Sequence, residues 1–82
     1  MNDVSSANLT IIRLALVMAL TGLSKSSIYA FGHPASPQFD PTFPRRVKIG
    51  SAAVGWIQGE ILGWIRQRVA FSRPEGLSST AN

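Results

Sequence analysis

Apolar residues gather in separate stretches of this chain, and their spacing changes from one stretch to the next. Leu9-Thr10-Ile11-Ile12-Arg13 has β-branched character and reads as a short strand or an extended lead-in. Leu14 to Leu20 is apolar throughout, with Leu14, Val17 and Met18 at helical spacing and Leu16 and Leu20 widening the stripe. That pattern predicts a first helix without charge, either buried nearly all round or leaving one face for a partner. Ile28 and Phe31 mark the inward stripe of a second helix, from Lys25 to Phe31 or Gly32. Gly32-His33-Pro34 ends it, because a residue before proline avoids the α region. Ile57, Ile61, Trp64 and Ile65 follow i, i+4, i+7, i+8, which predicts an amphipathic third helix over about Ile57 to Val69. Both tryptophans, Trp56 and Trp64, fall at core positions.

The polar residues between the first two helices are as informative as the apolar ones. Thr21-Gly22-Leu23 suits a tight turn, because Gly22 can take the left-handed conformation that closes a helix. Ser24 is a good N-cap with Ser27 three residues on. Leu23 and Ile28 stand where a hydrophobic staple would fix the angle of the second helix. Two helices joined by a short glycine-containing turn make a helix-turn-helix. The polar start of its second helix is the part that can enter a DNA groove.

After the second helix, Ala35 to Pro44 carries Pro37, Pro41 and Pro44 and reads as a loop, with Phe39 and Phe43 as its anchors to the core. Arg45-Arg46-Val47-Lys48-Ile49 then alternates. Val47 and Ile49 point one way, Arg46 and Lys48 the other, as in a half-buried strand with a cationic outer face. Gly50-Ser51 is a hairpin turn signal, and Ala52 to Trp56 is the return strand. The expected fold is mainly α with a small β-hairpin wing: a winged helix-turn-helix over residues 9–71. Phe71 is its last core contact, and 1–8 and 72–82 are flexible tails.

Composition narrows the chemistry. The chain has 82 residues, no cysteine and one histidine. That is enough for a single small domain, but not for a core plus a deep catalytic cleft. Neither disulfides nor thiolate metal ligation is available, and His33 alone builds no zinc site. Asp40 and Glu60 are isolated acids, and neither a Ser-His-Asp arrangement nor a glycine-rich phosphate loop is present, so no enzyme, metal or cofactor is expected. The apolar run falls far short of the roughly 20 residues that span a bilayer, and the N-terminus lacks the early positive charge of a signal peptide, so no membrane partner is expected. Eight Lys and Arg against four Asp and Glu give a net charge of +4, which suits an anionic partner.

The candidate DNA-binding residues follow from this pattern. Lys25 opposes the helix dipole and has no evident internal partner, which favours a contact to phosphate or guanine. Ser26 and Ser27 lie in the same first turn, near base edges. Ser24 serves first as the cap, although a helix N-terminus also binds phosphate through its amides. Tyr29 is either a core edge or a hydroxyl donor to phosphate. Arg45, Arg46 and Lys48 form a cationic patch for the DNA backbone, and Ser51 at the turn can donate to a phosphate. Gly59 and Gly63 inside the third helix each cost about 1 kcal/mol relative to alanine, which close packing within the domain or in a dimer would explain.

Several segments together resemble a known family. They are Arg13-Leu14, Leu20-Thr21-Gly22-Leu23-Ser24-Lys25-Ser26-Ser27-Ile28-Tyr29, Phe43-Pro44, Val47-Lys48-Ile49-Gly50, Ala53-Val54-Gly55-Trp56, and Glu60-Ile61 with Trp64-Ile65. In this order they closely resemble the AlpA-type prophage regulators, which belong with the MerR-like winged-helix excisionases, over about residues 12–69. The resemblance implies a cytoplasmic bacterial or phage protein that binds double-stranded DNA site-specifically. Such a protein acts as a transcriptional regulator of prophage genes or as an excisionase-type recombination directionality factor. Its further partners would be a second copy of the chain or a phage integrase. The chain departs from the family pattern at Ala30 and Ala52, where the family usually has arginine, and in a longer, proline-rich stretch from Gly32 to Thr42. Its first helix also lacks the family's usual charge. These departures leave a second class of function open: a protein-interaction module that binds through the uncharged first helix.

Overall fold

The computed structural model describes residues 9–73. It contains β1 (Ile11–Ile12), α1 (Leu14–Thr21), α2 (Lys25–Gly32), β2 (Val47–Lys48), β3 (Val54–Ile57) and α3 (Gln58–Ser72). The axes of α1 and α2 meet at 96°, within the range of a helix-turn-helix. No single helix among the described residues is long and apolar enough to cross a membrane.

The turn between α1 and α2 forms for the reasons its sequence suggests. Gly22 adopts φ 76°, the left-handed conformation, and its amide donates to Met18 O at 2.8 Å. Thr21 tightens the corner from both sides. Its hydroxyl donates to Val17 O at 2.7 Å and accepts from the Leu23 amide at 3.1 Å. Leu23 then packs on the core beside buried Ile28.

The sheet has three antiparallel strands in the order β1-β3-β2. The lead-in to α1 is therefore a strand, with Ile11 opposite Ile57 and Ile12 opposite Trp56. The wing hairpin pairs Val47 with Gly55 and Lys48 with Val54. Ala53 O closes the turn, accepting from the Ile49 amide at 2.8 Å and the Gly50 amide at 3.4 Å, so Gly50-Ser51-Ala52 forms the tip. Gly55 is where the strands press closest. A Cβ there would lie 2.5 Å from Ile11 Cγ2 and 2.9 Å from Ile12 O, which only glycine avoids.

The core joins Ile12, Val17, Ile28, Phe43, Trp56, Ile61 and Trp64. Removal of these large side chains from water is the main favourable term holding so small a domain together. Around Trp64 the rings of Phe31 and Phe43 meet it at 6.1 and 5.0 Å, the latter edge-on. The proline-rich loop is pinned to this cluster. Asp40 accepts from the Thr42 hydroxyl at 2.6 Å, the Thr42 amide at 2.8 Å and Trp64 Nε1 at 3.3 Å. The Asp40 amide donates to Phe31 O at 2.9 Å. The Thr42 hydroxyl holds the Asp40 carboxyl below its ordinary value. Partial burial opposes this, and the Thr42 amide, Trp64 and the charge of Arg68 add to it.

Several expectations change. Ile57 closes β3 rather than opening the third helix, because its backbone is held by Ile11 across the sheet. The helix runs past Val69 to Ser72, and Arg73 caps it through a 2.9 Å bond to Val69 O. Phe71 is 83% exposed and is no core contact; it stands on the last turn of α3, past the buried cluster that ends at Trp64. Phe39 is at the surface, because Asp40 and Phe43 supply the anchors one would have given it. Ile49 is also exposed, at the point where the hairpin rises off the core. α1 is not buried nearly all round: Val17 is buried, whereas Leu16 and Leu20 are 43% and 37% exposed. A Cβ at Gly63 would meet nothing within 4 Å, so close packing among the described residues does not explain that glycine. The expected tails lie outside the described residues, apart from Ser72 and Arg73.

Candidate nucleic-acid interface

The start of α2 is built by Ser24. Its backbone is extended, and its Oγ accepts from the Ser27 amide at 3.1 Å. The same hydroxyl donates to Ser27 Oγ at 3.1 Å. Both oxygens are therefore engaged in closing the helix. Ser27 is half-buried, while Lys25 and Ser26 are exposed. Neither of the latter two side chains has a partner among the described residues.

Helical periodicity sets the exposed face. Residues four apart stack on one side, so Lys25 and Tyr29 follow one another along α2, with Ser26 and Ala30 beside them. Ile28 turns the opposite way, into the core. Nothing in the first turn is acidic, so the positive end of the helix dipole is left uncompensated.

The wing meets this face at one defined point. The Arg46 guanidinium lies over the Tyr29 ring, 5.8 Å from its centroid. The ring itself rests on Trp56 at 6.3 Å. Tyr29 thus ties three elements together: α2 through its backbone, β3 through Trp56, and the root of β2 through Arg46. Arg45, Lys48 and Ser51 are exposed, and their side chains have no partner among the described residues.

The structure sorts the sequence candidates into three groups. Ser24 and Ser27 form the cap. Tyr29 and Arg46 form the joint between helix and wing. Lys25, Ser26, Arg45, Lys48 and Ser51 present polar groups without a partner among the described residues. His33 is a residue that sequence reasoning passes over as a lone loop histidine. It is the C-cap of α2, it is exposed, and it lines a cleft with Arg45 and Arg46.

Chemically, this surface offers ammonium, guanidinium and hydroxyl donors. Among the described residues no three His, Asp or Glu side chains gather to hold a metal. A capped helix start with free donors, next to a cationic hairpin, is suited to phosphates and base edges of a duplex.

Residues 10–69 match the family model described as prophage CP4-57 regulatory protein (AlpA). The chain is 43% identical over 58 residues to the DNA-binding transcriptional activator AlpA of Escherichia coli (strain K12), covering 71% of this chain and 83% of that protein. It is 34% identical over 59 residues to "Uncharacterized protein ORF88" of Enterobacteria phage P4, covering 72% of this chain and 60% of that protein. No solved structure matches the chain with significance.

Proposed function

The chain belongs to the AlpA family of prophage regulatory proteins, and on that premise we propose that it binds duplex DNA site-specifically and regulates transcription of prophage genes. One observation carries the reading. Free Lys25 and Ser26 at the capped start of α2 share a face with Tyr29, and Tyr29 holds the cationic wing through Arg46. In use, α2 lies in the major groove with Lys25 and Ser26 at base edges. Lys48, Ser51 and the guanidinium groups of Arg45 and Arg46 hold the backbone. Ser24 and Ser27 contribute through the helix they close, whose free amides face phosphate. The role is binding rather than catalysis, and it is exercised where the DNA is, in the bacterial cytoplasm.

The exposed row of Leu16 and Leu20 on α1 supports a second contact, with another copy of the chain or with an integrase. A factor that directs excision would use such a contact to fill clustered sites. Selection of bound duplexes from a random library, followed by footprinting, tests the proposal. Enrichment of one motif is expected. A single occupied site over a promoter supports transcription control, and an array of direct repeats across an attachment region supports excision. No enrichment, together with affinity that ignores salt, would leave only the protein-interaction reading.

A further inference from the structure

We propose that the cleft between the end of α2 and the root of the wing is a seat for a DNA backbone phosphate, with His33 and Arg45 as its ligands. The inference rests on the DNA-binding reading and adds a site to it. The cleft has a volume of about 340 Å³ and is lined by Gly32, His33, Pro34, Phe39, Arg45 and Arg46. It therefore brings two arginines and the protein's one histidine around a single space.

Three features suit it to an anion. First, part of the helix end that would repel one is occupied by amide donors. Ala30 O accepts from the His33 amide at 3.4 Å, Phe31 O from the Asp40 amide at 2.9 Å, and His33 O from the Ser36 amide at 2.8 Å. Second, the one acid of the loop is turned to other partners. Asp40 is held by Thr42 and Trp64 and lines a separate groove with Arg68. Third, the loop is a built wall. The Phe39 amide donates to Ser36 O at 3.1 Å and the Gln38 amide to Ser36 Oγ at 3.0 Å, which fixes the loop that carries Phe39 into the lining of the cleft. An apolar wall beside a charge lowers the local dielectric and strengthens its pull on phosphate. Arg46 is already positioned by Tyr29.

Position along the helix fits as well. Eight residues at about 1.5 Å each place His33 roughly 12 Å from Lys25. The major groove is about 12 Å wide, so with Lys25 at base edges the far end of α2 comes within reach of the backbone that flanks the groove.

The test uses the full chain in solution. His33 is the only histidine, so its ring resonances need no assignment by mutation. They are followed by NMR while a short mixed-sequence duplex, or inorganic phosphate, is added. Duplex affinity and its salt dependence are measured for His33→Ala, Arg45→Ala and the pair, with circular dichroism confirming the fold. The ring signals are expected to move with duplex at concentrations where inorganic phosphate leaves them unchanged. Each single variant should bind about two- to fivefold more weakly, the range of an exposed ion pair. The pair should bind no worse than Arg45→Ala, because both ligands serve one phosphate. Movement of the Lys25 and Ser26 amides without the His33 ring, with His33→Ala unchanged, would overturn the seat and leave the DNA reading intact. An equal response to inorganic phosphate would overturn DNA as the source of the phosphate. No response of any residue to duplex would overturn both.

Discussion

Two regions of this molecule use the same side-chain chemistry to opposite ends. Around Trp64 the donors and charges are paired within the protein. The indole donates to Asp40, Arg68 lies over its ring at 5.2 Å, and Phe43 meets it edge-on. Along α2 and the wing, Lys25, Ser26, Arg45, Lys48 and Ser51 have no side-chain partner among the described residues. The Trp64 side chain is buried and its indole N–H must be paired, so the first arrangement is what a stable loop anchor requires. Exposed donors are satisfied by water and need no such pairing. A row of them on one helix face and one hairpin is therefore a surface kept available. Arg46 stands between the two regions, since its stack on Tyr29 fixes where its charge is offered.

The contrast is broken most severely at Trp64. Trp64→Ala should remove about 3–5 kcal/mol of stability, much of a small domain's margin of roughly 5–15 kcal/mol. Disappearance of cooperative melting in a calorimetric scan would show it, and a melting point near that of the parent would mean the anchor is dispensable. Gly55→Ala comes next. Its Cβ would sit 2.9 Å from Ile12 O and must push β1 from β3. A cost of about 1–3 kcal/mol is expected, or a fall of roughly 4–8 °C in Tm for each kcal/mol.

Smaller effects separate the cap from the free donors. Ser24→Ala should destabilise by about 1 kcal/mol, because it orphans the Ser27 amide. Ser26→Ala should leave the melting point unchanged and reduce discrimination between cognate and random duplex. The reverse pattern would exchange their roles. Tyr29 sharpens the contrast further. Tyr29→Phe keeps the ring beneath Arg46 and should bind DNA normally, whereas Tyr29→Leu should bind about two- to fivefold more weakly. Equal weakening in both variants would assign the hydroxyl, not the ring.

The smallest effect is on pH. Asp40 has a lowered pKa, so its contribution to anchoring the loop is complete above the ordinary carboxylate value of about 3.9 and is lost as pH falls through the lower, folded value. The Trp64 indole NMR signal should be constant from pH 7 to pH 5 and move only in that acid window. Asp40→Asn should abolish the movement.

What is legible in the sequence is local. The left-handed Gly22, the Ser24 cap and the inward Ile28 are each dictated by neighbours within one helical turn, and the alternation of Arg46-Val47-Lys48 shows the wing. Long-range pairings are not legible. Asp40 reaches Trp64 across 24 residues, and nothing near either residue marks the match. The need for glycine at position 55 comes from β1, far away in the chain. Phe71 misleads because apolar character alone does not show whether a partner surface extends that far. In the candidate site the free donors follow from charge and helix position. The Tyr29–Arg46 joint does not, because it depends on how the hairpin folds back onto α2.

Salt dependence of binding tests the central claim most directly. Association of the full chain with duplex DNA is measured across a salt series, beside Arg46→Ala combined with Lys48→Ala. If the wing holds the backbone, log K falls steeply with log salt for the parent. The double variant then binds all sequences more weakly, with a slope reduced by roughly 1 for each phosphate no longer neutralised. An unchanged affinity and slope in a double variant that keeps its fold would remove the wing from the interface and contradict the account.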